Sequence, residues 1–294
     1  MELDVIPANL FLNYQNIFSG SEISDISPSI REVRAVKSTY EIGLITAAAE
    51  LSDLVAESVL EFLHEGMTEI ELAGLVESRA RKLGHQGVIR MRLWGSEMFY
   101  GHLMAGPSAA VPSFLASPTG GASVGPAVAQ GPSFQEIKRY QPVLVDYVFA
   151  HQGYLSDHTR IFALESLPDD LLQAHRAMLN LQTEIKKTAL PGMAAGDIYE
   201  KAVQIATELG YADNFMGVGD RRIRFVGHGI GIELDEYPFL AKGQTQTLQE
   251  GMIIALEPKL IFPGKGVVGI ENTHVVTADG LHQLGKFNEE INIV

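Results

Sequence analysis

Four acidic residues fall into two pairs, each set the same way about a turn. Val143 to Phe162 reads VLVDYVFAHQGYLSDHTRIF, with a β-rich run to Phe149, turn-forming Ala150-His151-Gln152-Gly153, and a second run from Tyr154. An antiparallel hairpin centred between His151 and Gln152 sets Asp146 opposite Asp157, with Cβ atoms about 4.5–5.5 Å apart. Met252 to Ile261 and Val267 to Val276 flank the turn Phe262-Pro263-Gly264-Lys265-Gly266, and a hairpin centred on Gly264 sets Glu257 opposite Glu271. Ionised carboxylates this close repel, so a site that keeps all four charged wants a cation among them. One such pair alone more often belongs to a solvated or salt-bridged sheet face; two in one chain point to a metal site.

Arg224 to Gly231, RFVGHGIG, supplies an imidazole, His228, whose flanking glycines allow a close backbone approach at a strand corner. A lone histidine in a glycine-rich strand is usually structural, so the weight of His228 comes from the acids. His64, His85 and His282 have no such setting and are expected at the surface. With no cysteine in the chain, disulfides, thiolate metal sites and a cysteine nucleophile are excluded. Any ion is held by oxygen and imidazole, which suits manganese, cobalt, zinc or iron.

The elements that must position these groups come in two copies. Helical periodicity runs over Ser29–Leu63, and Thr68 can cap a helix over Glu69–Lys82, closed by Gly84. Leu171–Ala189 and Asp197–Glu208, closed by Gly210, follow the same plan, with Gly66-Met67 and Gly192-Met193 as matching turns. Each copy precedes one acid-bearing hairpin, so the chain is two related α-α-β-β halves whose hairpins converge when packed face to face. Met1–Pro28 is short and irregular in pattern, and Ala105–Ser133 is proline-rich with almost no charge. The latter is either a surface linker or the wall of a pocket.

The chain has 294 residues, room for one large domain or a domain with an appendage, and its formal net charge of −14 argues against nucleic acid as a partner. No apolar run approaches a membrane span and the N-terminus lacks the order of a signal peptide, so no membrane partner and a cytoplasmic location are expected.

The ordered set Asp146, Asp157, His228, Glu257, Glu271, within Asp-x10-Asp, GHGIG, LEPKL and GIEN, resembles the five ligand motifs of the pita-bread metallopeptidases. That group includes methionine aminopeptidase, prolidase and Xaa-Pro aminopeptidase, with creatinase as a metal-free relative. REVRAVKSTYEIGLITAAAE at Arg31–Glu50, GMTEIELA at Gly66–Ala73 and SDHTR at Ser156–Arg160 look closest to the prolidase and Xaa-Pro aminopeptidase branch. The resemblance covers roughly residues 30 to 285. It implies an α+β pita-bread fold, two pseudo-symmetric α-α-β-β halves around a curved antiparallel sheet, with a catalytic domain at 30–294 and a remnant of a preceding domain or linker at 1–29. It also implies two divalent ions, one bound by Asp146 and the other by His228 and Glu257, with Asp157 and Glu271 bridging. Glu257 would shuttle the proton from water to the leaving amine, the substrate would be a short peptide, often Xaa-Pro, and the assembly a homodimer.

Three positions depart from that pattern. The family's histidine seven residues past the GHGIG histidine is Asp235 here, the histidine seventeen before the first aspartate is Ala129, and the arginine two before the last glutamate is Gly269. His102, in GHLMAG, or His151 is the available replacement, so His102 and Asp235 are the candidate substrate-facing residues. An aspartate at 235 repels a peptide carboxylate unless protonated or metal-paired. A pita-bread binding or scaffold module with impaired catalysis is therefore the alternative, and a creatinase-like C–N hydrolase a third reading.

Overall fold

The computed structural model describes residues 1–92, 100–113, 115, 117–128 and 130–294. The N-terminal stretch, expected to be irregular, carries a helix, α1 (Ala8–Ile17), that buries none of its residues. Arg92 ties this segment down, donating to Glu2 at 2.9 Å and to Asp4 at 2.7 Å.

The helical run expected over Ser29–Leu63 is two helices, α2 (Ser27–Ala35) and α3 (Thr39–Phe62). The break has a local cause. The Ser38 hydroxyl accepts from the Glu41 N–H while the Glu41 carboxylate accepts from the Ser38 N–H at 2.8 Å, a capping box that starts a new helix. Between the helices the backbone turns to sheet-like bonding, with Val36 bridging Met252 and Lys37 N–H donating to Gly251 O at 2.9 Å. The Lys37 ammonium and Arg34 then clamp Glu236, which fastens α2 to the second half of the chain. Thr68 and Glu71 form the same box at the head of α4 (Glu69–Lys82), as the sequence predicts. In the second copy, α5 (Asp169–Thr188) and α6 (Ala195–Glu208) occupy the expected places, each starting two residues earlier than its pattern suggests.

Three ladders carry the strands. One sheet orders β1 (Gly101–Ala105), β2 (Val143–His151), β3 (Tyr154–Ala163) and, parallel to β3 and last in sequence, β11 (Asn292–Ile293). A second orders β10 (Gly280–Gln283), β9 (Asn272–Thr277), β6 (Ile253–Leu256), β4 (Phe225–Gly229) and β5 (Glu236–Ala241), all antiparallel. The third pairs β7 (Lys259–Phe262) with β8 (Gly266–Gly269). A helix pair covers each half. Val55, Val59, Leu72 and Val76 of α3 and α4 pack with Val143, Val145 and Phe149 of β2, and Met178, Leu181, Ile185 and Ile198 of α5 and α6 pack with Val226, Ile254 and Leu256. Strand β2 is buried along nearly its whole length, which is why VLVDYVFA runs apolar instead of alternating. The edge of β3 meets the second half at a bridge from Thr159 to Glu271, with Thr159 N–H donating to Glu271 O at 3.2 Å.

His85, expected at the surface, is 1% exposed. Its Nδ1 accepts from Gly87 N–H at 2.8 Å, which leaves Nε2–H to donate to Val148 O at 3.1 Å. Burial pushes its pKa down to about 4, the Val148 bond only partly opposing this. Because the unfolded ring titrates near 6.5, the unfolded chain binds the proton first, so this contribution is complete above that pH and is lost as pH falls from 6.5 toward 4. A thermal melt taken over that window is expected to drop with acid, and His85→Gln, which keeps a donor and an acceptor, to flatten the drop. An unchanged slope in the variant contradicts the assignment.

Candidate metal centre

The first hairpin is shifted by two residues from its expected register. Gln152 and Gly153 both have positive φ (49° and 88°), the two-residue loop that suits a twisted hairpin, and β2 runs on through His151. Asp146 therefore faces Thr159, and Asp157 faces Val148. The aspartates are not directly opposed as expected; they are diagonal neighbours on one face. On its other side Asp146 pairs with His102 of β1.

The second hairpin keeps the expected register about Gly264, but not as one ladder. Lys259 pairs with Gly269 and, further out, Leu256 pairs with Asn272 in the same frame, while Glu257-Pro258 and Ile270-Glu271 fall in a gap between the two sheets. Pro258 has no N–H to continue the ladder. At the gap Glu257 N–H turns to Val226 O at 2.9 Å, which brings Glu257 to the end of β4 beside His228.

The glycines around His228 are required by space. A Cβ at Gly227 would lie 2.4 Å from Ala255 O, and one at Gly229 2.1 Å from Tyr237 O. His228 Nδ1 lies 3.1 Å from Gly229 O, so the tautomer with the proton on Nδ1 turns a bare Nε2 toward the acids. Nε2 is 3.9 Å from Asp157 Oδ2 and 3.8 Å from Glu257 Oε1, and Nδ1 is 3.7 Å from Asp235 Oδ1.

One atom each of Asp157, His228 and Glu271 lies within 4.8 Å of the others, all buried. Among the described residues, no hydrogen-bond partner reaches buried Asp157 Oδ1. Asp146 and Glu257 line the same cleft, as do His102 and Asp235. Leu115, Ser117, Pro118 and Gln130 complete it, so the proline-rich stretch is a pocket wall. Buried Glu69 fastens both ends of that wall, accepting from Ala105 N–H at 2.7 Å and Ser133 N–H at 2.8 Å. Position Ala129 lies outside the described residues, and His151 sits at the hairpin tip, away from the cleft lining.

Sequence reasoning missed Lys259, in plain sight within LEPKL. Its Nζ donates to Asp146 Oδ2 at 2.9 Å, Glu257 Oε2 at 2.8 Å and Glu271 Oε2 at 2.7 Å, and its side chain is 1% exposed. The charges respond accordingly. Burial pushes Asp157 well above the usual carboxylate range, with Glu271 and Asp146 adding to the rise. Burial also raises Glu271, to about 8 despite Lys259, whereas for Asp146 the pull of Lys259 outweighs burial and the carboxyl sits below its usual value. Both are buried, but Glu271 is also repelled by Glu257 and Asp146, whereas Asp146 has His102 beside it as well as Lys259. His228 is raised, the attraction of Asp235 and Glu257 exceeding the cost of burial. Of the four carboxylates, Asp157 is thus the one that Lys259 does not bond.

A second layer, also missed, holds these groups. Thr159 Oγ1 donates to Glu271 Oε2 at 2.8 Å, and Thr273 Oγ1 accepts from Asp157 N–H at 2.8 Å. Buried Arg160 donates to Glu271 O and Thr159 O, both at 2.9 Å, and to Asn272 Oδ1 at 2.8 Å. Its sequence signal was adjacency: SDHTR and GIENT place these residues beside the ligands.

Residues 43–278 match the metallopeptidase family M24. The chain belongs to that family. The Xaa-Pro dipeptidase of Pyrococcus furiosus is 28% identical over 281 residues, 95% of this chain and 71% of that protein. Among solved structures, the X-Pro aminopeptidase of Thermotoga maritima superposes with a TM-score of 0.85 at 24% identity, over 100% of this chain and 73% of that one. The prolidase of Pyrococcus horikoshii OT3 gives 0.81 at 26% identity, over 97% of this chain and 73% of that one. The M24 chain therefore has the α+β pita-bread fold expected of it, and it is a metallopeptidase. No helix among the described residues is long and apolar enough to cross a membrane.

Proposed function

We propose that the chain hydrolyses short peptides at Xaa-Pro bonds, using a divalent ion at the cleft. The observation that carries this reading is the convergence of Asp157, His228 and Glu271, with an Asp157 oxygen that no described residue bonds, on a cleft that His102 and Asp235 also line. Two carboxylates and an imidazole fit one manganese, cobalt, zinc or iron ion. Of the carboxylates that would hold a second ion, Asp146 and Glu271 are bonded to Lys259. Named relatives support the substrate class, the Pyrococcus furiosus protein being an Xaa-Pro dipeptidase.

A bound divalent ion supplies Lewis acidity, lowering the pKa of a water and polarising the scissile carbonyl. Glu257 Oε1, facing His228 within the cleft, is placed to take a proton from water and pass it to the departing amide nitrogen. Asp235, whose side chain is 29% exposed, presents negative charge at the cleft, which suits the ammonium end of a peptide better than its carboxylate. His102 is buried, lines the cleft and has an Nδ1 without a partner, so it is assigned to hydrogen-bond the substrate. His102→Ala is expected to lower kcat/KM by about 10²–10³-fold, the scale of losing one donor at a developing oxyanion. Divalent-ion affinity measured by calorimetry should stay unchanged in that variant. The reading assigns this chemistry to residues 30–294.

The test is proline release from Xaa-Pro dipeptides by chelator-stripped protein. Release restored by manganese, cobalt, zinc or iron is expected. Peptide binding without release under every ion would instead favour a module that has lost catalysis, as the aspartate at 235 would allow.

A further inference from the structure

We propose that the Lys259 ammonium stands in for one of two cations, so that the folded chain takes a single divalent ion, at Asp157, His228 and Glu271, and not a pair. The inference rests on the reading of the cleft as a metal centre and narrows it. An ammonium has three protons to donate, and each of Lys259's goes to a different carboxylate, Asp146, Glu257 and Glu271, at 2.7–2.9 Å. Those acids come from three chain segments, so a single charge bridges both halves of the fold, as an ion placed there would. A divalent ion binds carboxylate oxygen at about 2.0–2.2 Å and cannot share the position with Nζ.

The opposite strand approaches the Lys259 backbone closely. Gly269, its cross-strand partner, has a φ of 148°, and a Cβ there would lie 2.4 Å from Pro258 O, 2.7 Å from Lys259 Cα and 3.2 Å from Lys259 Cγ. A side chain at 269 would therefore push on the Pro258–Lys259 backbone and, beyond it, on the start of the lysine stem. Charge points the same way. The four carboxylates and the lysine carry a formal −3, which one divalent ion reduces to −1. A second ion would bring that count to +1 beside a fixed ammonium, with half-buried Asp235 the one further carboxylate lining the cleft among the described residues. Asp157 Oδ1, which Lys259 does not reach, remains for the one ion.

Titration of chelator-stripped protein with Mn2+, followed by calorimetry and elemental analysis, should give about one ion per chain, against the two of a dinuclear centre. Lys259→Met keeps the stem and removes the charge, and is expected to raise the count to about two. Two ions in the unsubstituted chain, none, or an unchanged count of one in the variant would each overturn the inference. Should the variant fail to fold, the electron spin resonance of Mn2+ in the unsubstituted protein decides: the spectrum of an isolated ion supports the inference and that of a spin-coupled pair ends it. A chain that binds one ion yet cleaves no Xaa-Pro peptide would end the proposed activity and leave the role of Lys259 standing.

Discussion

Glu257→Gln is expected to lower kcat by about 10²–10⁴-fold, the range for removing a positioned general acid–base group. The substitution keeps the shape of the side chain and its place beside Val226, but an amide neither takes a proton from water nor gives one to a leaving nitrogen. The loss should fall on kcat with little change in KM, because the group is asked to act only as bonds break. Steady-state kinetics on an Xaa-Pro dipeptide, with ion binding measured alongside, separates this from loss of the ion. A variant with ordinary kcat would remove Glu257 from the reaction and leave it as a partner of Lys259 alone.

Arg160→Met should produce the largest loss of stability. The guanidinium is 2% exposed and donates to four acceptors, Thr159 O, Glu271 O, Asn272 Oδ1 and Phe287 O. Methionine fills much of the volume and satisfies none of them. Thr159 O and Glu271 O keep the backbone N–H bonds they exchange, but Asn272 Oδ1 and Phe287 O lose the guanidinium; at about 1–3 kcal/mol for each unsatisfied buried acceptor, the net loss is about 3–5 kcal/mol. For a chain of this length that corresponds to a fall in Tm on the order of 10 °C, read by calorimetry or circular dichroism. Activity should fall with it, because Arg160 sits where the two halves touch and fixes the backbone that carries Glu271. A melt within about 2 °C of the unsubstituted protein would mean that water replaces the side chain at the junction.

Much of this was readable before any coordinates. Period-2 and apolar runs bounded by glycine and proline locate both hairpins, and the cap at Thr68 places α4. The misses have particular causes. The two-residue slip of the first hairpin arises because Gln152, not a glycine, takes the first left-handed position, so the sequence shows a four-residue turn at 150–153 where the chain makes a two-residue one. Because a slip of two keeps every side chain on its original face, Asp146 and Asp157 still reach the same cleft. The break between α2 and α3 was spelled by Ser38 and Glu41, hidden inside a continuous apolar period. Lys259 escaped notice because pattern matching treats the residue after Glu-Pro as filler, whereas burial turns its charge into a partner for three acids. His85 was misplaced because its burial comes from Tyr100, Tyr147 and Phe149 packing around the ring, contacts that no local pattern carries.

The most direct test of the metal centre is anomalous diffraction from a crystal soaked in Mn2+. A peak within bonding distance of an Asp157 oxygen, His228 Nε2 and a Glu271 oxygen is the expected result. Manganese bound only elsewhere, with those three side chains turned apart, would contradict it.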